Sequence, residues 1–462
     1  MIFTQYYLDC LSQASYLIAD ETSRRAVVVD PRRDIEDYLA DAAEQELTII
    51  GVINTHFHAD FVSGHLELAQ ATGAWIGYGA AASAEFEIRS LHDGERISLG
   101  DDEGVTLSIL ATPGHTPESI SILVLEHGDD DTPWGVLTGD ALFIGDVGRP
   151  DLLASIGVTA AELGRMLHDS VQRKLMSLPD GVRVFPAHGA GSACGKNLST
   201  ERQSTIGEQR RTNYACRPMS ADDFLAIVTE GQPSAPGYFV HDATINRQER
   251  EVREVGAQVP ALTWDQVATA VAGGARVHDA RDPQDFARGH LTGAINVPAD
   301  GRMAETVGMV FAPSDQIVVV APDGSEQEVA TRIARIGFDH VVGFLADPER
   351  AMVAHPECVE RASRLTVAQA ETALADARVQ LVDIRNPGEV AAGMIPGAHH
   401  IPLAELVARR GDLDPARPVL VTCAGGWRSS VGASTLRSLG FPDVSDLLGG
   451  YAAWEKAHPK AG

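Results

Sequence analysis

The feature that most constrains the fold is a group of histidines and an aspartate that follows an apolar run. Residues 47–53 read Leu-Thr-Ile-Ile-Gly-Val-Ile, which predicts a buried strand. His56, His58 and Asp60 come next as H-x-H-x-D, in the loop at the carboxyl end of that strand, where α/β folds gather ligands. Imidazole nitrogens and carboxylate oxygens together suit divalent iron or zinc. The alternative is a polar loop whose histidines only form hydrogen bonds.

Three later strand ends also carry histidine or aspartate. His115 lies in T-P-G-H-T-P, Asp140 in T-G-D-A and His188 in P-A-H-G. Short strands and helices alternate through this part of the chain, so we expect an α/β domain in which these strand ends meet. Four such ends in one domain favour a metal centre over unrelated polar loops.

Length and charge limit the partners. The chain has 462 residues, which is too long for one core and suggests about three domains. A net charge of −27, from 37 basic and 64 acidic residues, argues against nucleic acid and anionic membranes as partners. The N-terminus has no basic segment before an apolar stretch, so we expect a cytoplasmic protein. Five scattered cysteines argue against a disulfide framework.

Taken in order, the four motifs resemble the metallo-β-lactamase fold, a four-layer αββα sandwich. The segments 139–142 (Gly-Asp-Ala-Leu) and 148–152 (Gly-Arg-Pro-Asp-Leu) resemble its persulfide dioxygenase branch. The resemblance implies one Fe(II) per chain, which oxidises a low-molecular-weight thiol persulfide with O2 to sulfite and the parent thiol. The implied metal ligands are His56, His115 and Asp140, and the residues that support them are His58, Asp60 and His188.

Phe61 gives a physical reason to expect one metal. Binuclear hydrolases of this fold have a histidine at that position, and a phenyl ring has no lone pair to donate. The second metal position would keep only Asp60, His188 and a shared Asp140, so we expect it to be empty. Two histidines and one carboxylate leave positions open for substrate and O2 on non-haem iron. The alternative is a binuclear zinc thioester hydrolase similar to glyoxalase II.

The segment after His188 bears on the substrate. Glutathione-persulfide enzymes of this branch continue P-A-H with Asp-Tyr, whereas residues 189–196 are Gly-Ala-Gly-Ser-Ala-Cys-Gly-Lys. Small residues open the pocket, which leaves glutathione, coenzyme A and other thiol carriers as candidates. Cys194 is either a packed thiol or one that accepts or relays sulfane sulfur. Arg149, Lys196 and Arg211 are candidates to bind an acidic carrier, or else ordinary surface charges and ion-pair members.

The second half of the chain contains an internal repeat. His-Asp-Ala-Arg-Asp-Pro at 278–283 returns as Val-Asp-Ile-Arg-Asn-Pro at 382–387, an offset of 383 − 279 = 104 residues. The Gly-Ala pairs that begin at 293 and 397 have the same offset, 397 − 293 = 104. Two units of this length fit two small α/β domains better than a solenoid. Both copies resemble rhodanese domains.

A reactive loop is predicted in the second copy only. There a strand leads into Cys423 and a helix over 430–439 follows, so backbone N–H groups and Arg428 can stabilise a thiolate or persulfide on the cysteine. The C-x4-R spacing is tighter than the C-x5-R of phosphatases, which are the alternative. The resemblance implies that Cys423 and Arg428 are catalytic. The residues of the implied persulfide loop are Ala424, Gly425, Gly426, Trp427 and Ser429.

The first copy lacks this chemistry. Its matching segment, 317–326, has no cysteine or arginine and carries acidic residues, so we expect an inactive domain that serves as a spacer or docking surface. The predicted fold class is α/β and α+β multidomain. The predicted ranges are 1–245 for the metallo-β-lactamase domain, 246–262 for a linker, 263–357 for the inactive rhodanese-like domain and 358–462 for the active one.

Together these features predict a fused persulfide dioxygenase and sulfurtransferase. Cys423 either passes sulfur to sulfite to make thiosulfate or is loaded by thiosulfate, and the residues allow both directions. The expected partners are a thiol persulfide, O2 and sulfite or thiosulfate, with no nucleic acid and no membrane, and we expect a homo-oligomer. A further hypothesis is a non-catalytic sulfur carrier or sensor that a partner protein reads.

Overall fold

The computed structural model describes residues 1–101, 104–152, 158–254 and 256–459. They fall into two compact units. The first combines Met1–Gln232 with Phe239–Ala257, and the second combines Pro233–Tyr238 with Gln258–Gly462. Part of the segment for which the sequence predicts a linker, up to Ala257, therefore packs with the first unit.

Two six-stranded sheets build the first unit. The strands of one sheet, in spatial order, are β1 (Ile2–Leu8), β2 (Gln13–Ala19), β3 (Arg25–Val29), β4 (Thr48–Ile53), β5 (Trp75–Gly79) and β6 (Arg89–Leu91). The strands of the other sheet are also neighbours in chain order: β7 (Arg96–Ser98), β8 (Thr106–Ala111), β9 (Ile120–Leu125), β10 (Gly135–Gly139), β11 (Arg183–Pro186) and β12 (Ser204–Thr205). The helices are α1 (Glu36–Glu44), α2 (His65–Thr72), α3 (Ala160–Asp169), α4 (Ile206–Thr212), α5 (Ala221–Thr229) and α6 (Phe239–Ile245).

Alternation along the strands sorts the first unit into layers. Ile18 of β2 and Ile122 of β9 belong to one buried cluster between the sheets. Leu17 points to the opposite face, because successive strand side chains alternate, and packs in a cluster with α1 and α2. Leu167 of α3 and Phe224 of α5 cover the outer face of the other sheet. The four-layer αββα sandwich that the sequence predicts is confirmed.

The pairing of the strands determines where the loops with the histidine and aspartate motifs lie. β4 begins one residue later than the predicted apolar run. It pairs in parallel with both β3 and β5, so it is an interior strand of the sheet and its carboxyl end has a strand on each side. β10 and β11 are parallel neighbours, which brings the loops after Gly139 and Pro186 side by side. One sheet therefore supplies the H-x-H-x-D loop and the other supplies the three remaining motifs.

The second unit contains the two copies of the repeat, and their main sheets have the same strand order. The first copy has β13 (Ala261–Leu262), β14 (Arg276–Asp279), β15 (His290–Leu291), β16 (Ile295–Asn296), β17 (Ile317–Val320), β18 (Val341–Leu345) and β19 (Val359–Glu360), with helices α7 (Trp264–Ala272), α8 (Pro283–Arg288), α9 (Met303–Val310), α10 (Glu326–Ala334) and α11 (Pro348–Ala354). The second has β20 (Ser363–Leu365), β21 (Gln380–Asp383), β22 (His399–His400), β23 (Val419–Thr422) and β24 (Val444–Leu447), with α12 (Val367–Leu374), α13 (Pro387–Ala391), α14 (Leu403–Leu406), α15 (Trp427–Ser438) and α16 (Gly450–Ala457). The sheet orders are β13-β18-β17-β14-β16 and β20-β24-β23-β21-β22, while β15 and β19 form a separate pair. None of the helices that the structure describes is both long enough and apolar enough to cross a bilayer.

The repeated D-x-R motif forms an ion pair in each copy, and its arginine also binds a main-chain carbonyl. Arg281 binds the Asp279 carboxylate and donates to the Gly289 carbonyl at 2.9 Å. Arg385 binds Asp383 at 2.7 Å and donates to the carbonyl of Gly393, again at 2.7 Å, which repeats the contact 104 positions later, since 385 − 281 = 104. Both aspartates are fully buried, and a buried carboxylate needs such a partner.

Candidate metal centre and reactive cysteine

Three buried side chains converge at the strand ends of the first unit. Nε2 of His56 lies 3.8 Å and Nε2 of His115 lies 3.4 Å from Oδ2 of Asp140. The Nδ1 atoms of the two histidines point away, to Thr55 Oγ1 at 3.0 Å and to the Arg149 carbonyl at 2.9 Å. These outer partners fix the orientation of both rings with Nε2 facing inward, as partners of metal-bound histidines do.

The inward-facing atoms fit a metal ion. Nε2 of His56 and Oδ2 of Asp140 are buried and have no hydrogen-bond partner among the described residues. Burying a polar atom without a partner is costly, so a bound cation would satisfy both. The ligand atoms of His56, His115 and Asp140 lie within 4.8 Å of one another. Two imidazoles and a carboxylate suit divalent iron or zinc.

A second group of ligand atoms lies next to the first. His58, Asp60 and His188 also bring ligand atoms within 4.8 Å of one another. Nδ1 of His58 is buried and has no hydrogen-bond partner among the described residues. The sequence predicts that the second position keeps only Asp60, His188 and a shared Asp140, and this is wrong in one respect: His58 faces it as well.

Phe61 and Asp30 set the direction of the His58 ring. The Phe61 ring is fully buried and its centroid lies 4.3 Å from that of His58. On the other side of the imidazole, Nε2 lies 2.9 Å from Oδ1 of Asp30, which is also buried. Because Nε2 is held by this carboxylate, the remaining nitrogen, Nδ1, is the one turned toward the second group.

His188 bridges two carboxylates. Its Nδ1 lies 2.8 Å from Asp140 Oδ1 and its Nε2 lies 2.8 Å from Asp60 Oδ2. Burial lowers the pKa of His188, but the charges of Asp140 and Asp60 outweigh burial and raise this pKa well above its usual value. Burial raises the pKa of Asp140, but His188 and His56 draw it well below its usual value. The two carboxylates therefore favour the protonated form of His188.

The pKa of His56 moves in the opposite direction. Burial lowers this pKa first, and the charge of neighbouring His58 lowers it further, well below the usual value. The imidazole is therefore neutral at physiological pH. Neutral imidazole is the form that binds a metal, because its lone pair is free.

The reactive loop of the second unit builds a nest of N–H groups around one sulfur. Cys423 follows β23 and is buried, and its Sγ accepts backbone N–H bonds from Gly426 at 3.1 Å and Ser429 at 3.3 Å. Gly426 has φ +93°, and a Cβ there would lie 2.8 Å from the main-chain nitrogen of Gly449. A residue with a side chain would therefore disrupt the loop. Such a nest stabilises a thiolate or a persulfide anion.

Arg428 lines the space above Cys423, but its guanidinium is engaged elsewhere. It donates to both carboxylate oxygens of Glu389, at 2.6 and 2.8 Å. The sequence predicts that Arg428 stabilises the cysteine sulfur. In the described residues the hydrogen bonds to Sγ come instead from the backbone. The charge of Arg428 is largely balanced by Glu389 before any substrate binds.

Comparisons with known proteins match both units of the chain to known families. The family model of the metallo-beta-lactamase superfamily matches residues 8–188, and that of the rhodanese-like domain matches 263–347 and 366–457. The human mitochondrial persulfide dioxygenase is 30% identical over 220 residues, which cover 46% of this chain and 75% of that protein. The chain belongs to the metallo-beta-lactamase superfamily and carries two rhodanese-like domains. The family resemblance predicted from the motifs is confirmed.

Two further relatives of this metallo-beta-lactamase–rhodanese fusion show that the names of superfamily members differ. A hydroxyacylglutathione hydrolase from Synechococcus is 31% identical over 190 residues, which cover 39% of this chain and 67% of that protein. A crystal structure of a metallo-beta-lactamase from Staphylococcus aureus is 30% identical, covers 74% of this chain and 98% of that one, and superposes with a TM-score of 0.66. The superfamily thus includes relatives named as oxidising enzymes and relatives named as hydrolases.

Asn246 is a residue of the fusion protein that sequence reasoning missed. It is fully buried at the end of α6, and its amide donates to the carbonyls of His58 and Phe61, both at 2.8 Å. Its Oδ1 accepts the N–H of Ser63 at 2.9 Å. Asn246 therefore binds the metal loop at three backbone positions. Its position in a segment predicted as a linker gave no signal of this.

Two acidic residues of the first unit also bind backbone groups of this loop. Asp30 accepts the N–H of Thr55 at 2.7 Å and its hydroxyl at 2.9 Å. Glu118 accepts the N–H of Phe57 at 3.0 Å and is itself buried. The sequence gives only weak signals for these two residues. Asp30 directly follows an apolar strand, and Glu118 lies three residues after His115.

The structure brings Cys194 to the metal centre. Its Sγ lies within 4.8 Å of ligand atoms of Asp140 and His188, and the residue is buried. Burial raises the pKa of the Cys194 thiol well above its usual value, and the charges of Asp60 and Asp140 add to this effect. This shift favours the neutral thiol of Cys194, which is a poor nucleophile.

The three predicted carrier-binding cations are paired with groups of the protein. Arg149 donates to both carboxylate oxygens of Asp151, at 2.6 and 2.7 Å. Lys196 donates to the Glu230 carbonyl at 2.6 Å, and Arg211 is exposed and pairs with Glu208. The structure does not support these residues as free cations for an acidic carrier.

Proposed function

We propose that this fusion protein oxidises a low-molecular-weight thiol persulfide to sulfite at one Fe(II) and transfers sulfane sulfur through Cys423. The observation that carries the proposal is the buried triad of His56, His115 and Asp140, in which two inward-facing atoms have no hydrogen-bond partner in the described part of the chain. A persulfide dioxygenase among its relatives supports the substrate class. The fold alone would not, since one fold hosts many reactions.

The oxidation has a simple balance: RSSH + O2 + H2O → RSH + SO3²⁻ + 2H⁺. Fe(II), if held by these residues, would supply the redox chemistry by which O2 oxidises the persulfide sulfur. His56, which is neutral, and His115 would hold the ion through Nε2, and Asp140 would hold it through Oδ2. His188 holds the other oxygen of Asp140 through a 2.8 Å contact, which keeps the carboxylate in one orientation.

The N–H nest governs the transfer step. The N–H groups of Gly426 and Ser429 donate to Sγ of Cys423, where they stabilise the thiolate that sulfur transfer releases. Sulfite attacks the outer sulfur, the S–S bond to Cys423 breaks, and the electron pair stays on the cysteine: Cys–S–S⁻ + SO3²⁻ → Cys–S⁻ + S2O3²⁻. The same groups serve the reverse reaction, in which thiosulfate loads the cysteine.

A single metal is supported by the contacts beside the triad. His188 lies 2.8 Å from both Asp60 and Asp140, so the carboxylates of the second group are already engaged by this histidine. Phe61 occupies the position at which binuclear hydrolases of this fold have a histidine. Both features favour occupation of the His56 triad alone.

A second candidate function is hydrolysis of a thioester at two zinc ions. The observation that favours it is the group of His58, Asp60 and His188, which offers a second set of three ligand atoms. A hydroxyacylglutathione hydrolase is also among the relatives. This function predicts two metal ions per chain and no use of O2.

The deciding experiment measures metal content, O2 uptake and products on the purified full-length protein. We expect one iron per chain, O2 uptake that depends on glutathione persulfide, and sulfite as the product. Asp140→Ala abolishes O2 uptake and keeps sulfur transfer, whereas Cys423→Ser keeps sulfite and loses thiosulfate. Two zinc ions with thioester hydrolysis and no O2 uptake would contradict the proposal. If the chain is only a sulfur carrier or sensor, Asp140→Ala leaves its function intact.

A further inference from the structure

Cys423 opens into a cavity that the two rhodanese-like copies build together. The cavity has a volume of about 510 Å³ and lies within the second unit. Its second-copy walls include Leu403, Trp427 and Arg428 beside the cysteine. Half of the wall comes from the first copy, through Asp300, Gly301, Arg302, Glu305, Thr306 and Met309.

A direct contact ties the first copy to the reactive loop. The indole Nε1 of Trp427, three residues before Ser430, donates to Asp300 Oδ1 at 2.8 Å. Behind the loop, Ser430 donates to Asn296 Oδ1 at 2.7 Å, and Ser434 accepts the N–H of Asn296 at 3.0 Å. The first copy thus holds the start of α15, the helix that carries the N–H nest. Segment 300–309, from Asp300 to Met309, is called the facing wall.

The volume of the cavity suits an organic molecule. Pockets for drug-sized ligands span roughly 300 to 1,000 Å³. A thiosulfate or sulfite ion has only a few atoms and fills a small part of about 510 Å³. Met309 and Leu403 offer apolar surface to the remainder, and Thr306 offers a hydroxyl.

The charges of the cavity also disfavour a small dianion as its preferred donor. Arg428 is bonded to Glu389, and Arg302 of the facing wall pairs with Glu305. Asp300 adds a negative charge at the rim. Both arginines of the lining are therefore balanced by carboxylates, and recognition of a donor must draw on shape and apolar contact.

We propose that the facing wall of the first copy, whose loop 317–326 has no cysteine, binds the carrier of an organic persulfide, so that Cys423 is loaded directly by R–S–SH. The Cys423 thiolate attacks the outer sulfur, the R–S–SH bond between the sulfurs breaks, and R–S⁻ leaves with the electron pair: Cys–S⁻ + RSSH → Cys–S–SH + RS⁻. The step consumes no oxidant. This inference rests on the proposed sulfurtransferase function and gives the first copy a role in substrate choice.

The test compares two donors on the full-length protein without O2, which stops the oxidation reaction. Glutathione persulfide and thiosulfate are the probes, and the rate constant for loading Cys423 is read by intact-protein mass spectrometry. Met309→Trp fills the cavity, and we expect the ratio of the glutathione persulfide rate to the thiosulfate rate to fall roughly tenfold. Met309→Ala, which removes apolar contact without adding bulk, lowers the same ratio by roughly threefold.

Val353→Trp is the matched control, because Val353 lies in the same copy, is 83% exposed and is not part of the cavity wall. It should leave the ratio as in the parent protein. An unchanged ratio in both Met309 variants, or an equal fall for both donors, overturns the inference while the sulfurtransferase function stands. Loading of the parent protein by thiosulfate but not by glutathione persulfide also overturns the inference alone, whereas failure of both donors overturns the proposed function and the inference with it.

Discussion

The side-chain amide of Asn246 donates a 2.8 Å hydrogen bond to the main-chain carbonyl of His58, 188 positions earlier in the chain. The same residue binds Phe61 and Ser63, so one side chain satisfies three backbone groups of the metal loop. Backbone groups in a buried loop need such partners, since no strand or helix is available to pair them. Asn246 therefore fixes the path of the loop between the two ligand groups.

Replacing Asn246 by alanine should weaken both the fold and the metal centre. The change leaves three buried backbone groups unpaired, and we expect a loss of unfolding free energy of about 1 to 3 kcal/mol. Urea unfolding gives the stability, and iron retained after dialysis against a chelator gives the metal affinity. Thr244→Ala, at an exposed position of α6, should change neither. A stability loss with normal iron retention would show that Asn246 supports the fold only.

Phe61→His should raise the metal content from one to two ions per chain. His58, Asp60 and His188 already group their ligand atoms, and a histidine at Phe61 would add the donor that the phenyl ring lacks. Metal analysis after reconstitution with zinc measures the change. Phe61→Leu, which removes the ring but adds no donor, serves as the control and should still bind one. Two ions in the parent protein would show that Phe61 does not limit the site.

Glu389→Gln should make thiosulfate a better donor to Cys423. The pKa of Glu389 is affected first by burial, which raises it, but the bonds from Arg428 lower it below its usual value, so the carboxylate is charged at neutral pH. Glutamine keeps the oxygen that accepts the Asn386 N–H and removes the charge that balances Arg428. We expect the half-saturating thiosulfate concentration to fall about threefold, by Coulombic attraction. Arg428→Ala should raise it, and an increase in Glu389→Gln would contradict the argument.

His278→Val should make the second unit less sensitive to acid. Burial lowers the pKa of His278 to about 4, so between the usual value of 6.5 and pH 4 the folded state binds fewer protons than the unfolded state. Stability is therefore lost as the pH falls through this window, by about 3 kcal/mol for this residue. When the pH is lowered from 7 to 4, the unfolding free energy of the variant should therefore fall by about 3 kcal/mol less than that of the parent protein. Urea unfolding at the two pH values measures this difference.

Two positions control the His278 experiment. Val382 occupies the equivalent place in the second copy and is fully buried, so valine fits this strand. His340→Val, at an exposed position, should leave the pH dependence as in the parent protein. An unchanged pH dependence in His278→Val would mean that other groups dominate the acid response.

Local patterns were enough to predict the main features of this chain. Apolar runs that end in His or Asp predicted the strands and the loops that carry His56, His115 and Asp140. The repeat of D-x-R at an offset of 104 predicted two copies, and Cys423 at a strand end predicted the reactive loop. These features depend on neighbours in sequence, because strand periodicity and loop chemistry are set within a few residues.

Contacts between distant segments were decided only by the tertiary structure. Spacing could not tell that Nε2 of His58 binds Asp30 and leaves Nδ1 free for the second ligand group, or that Glu389 takes the charge of Arg428. Nor could it reveal that the first copy lines the Cys423 cavity through residues such as Met309. The direction of a side chain and its partner depend on how strands and helices pack in three dimensions. The sequence alone thus determined which chemical groups are present and on which loops, and packing decided which of them meet.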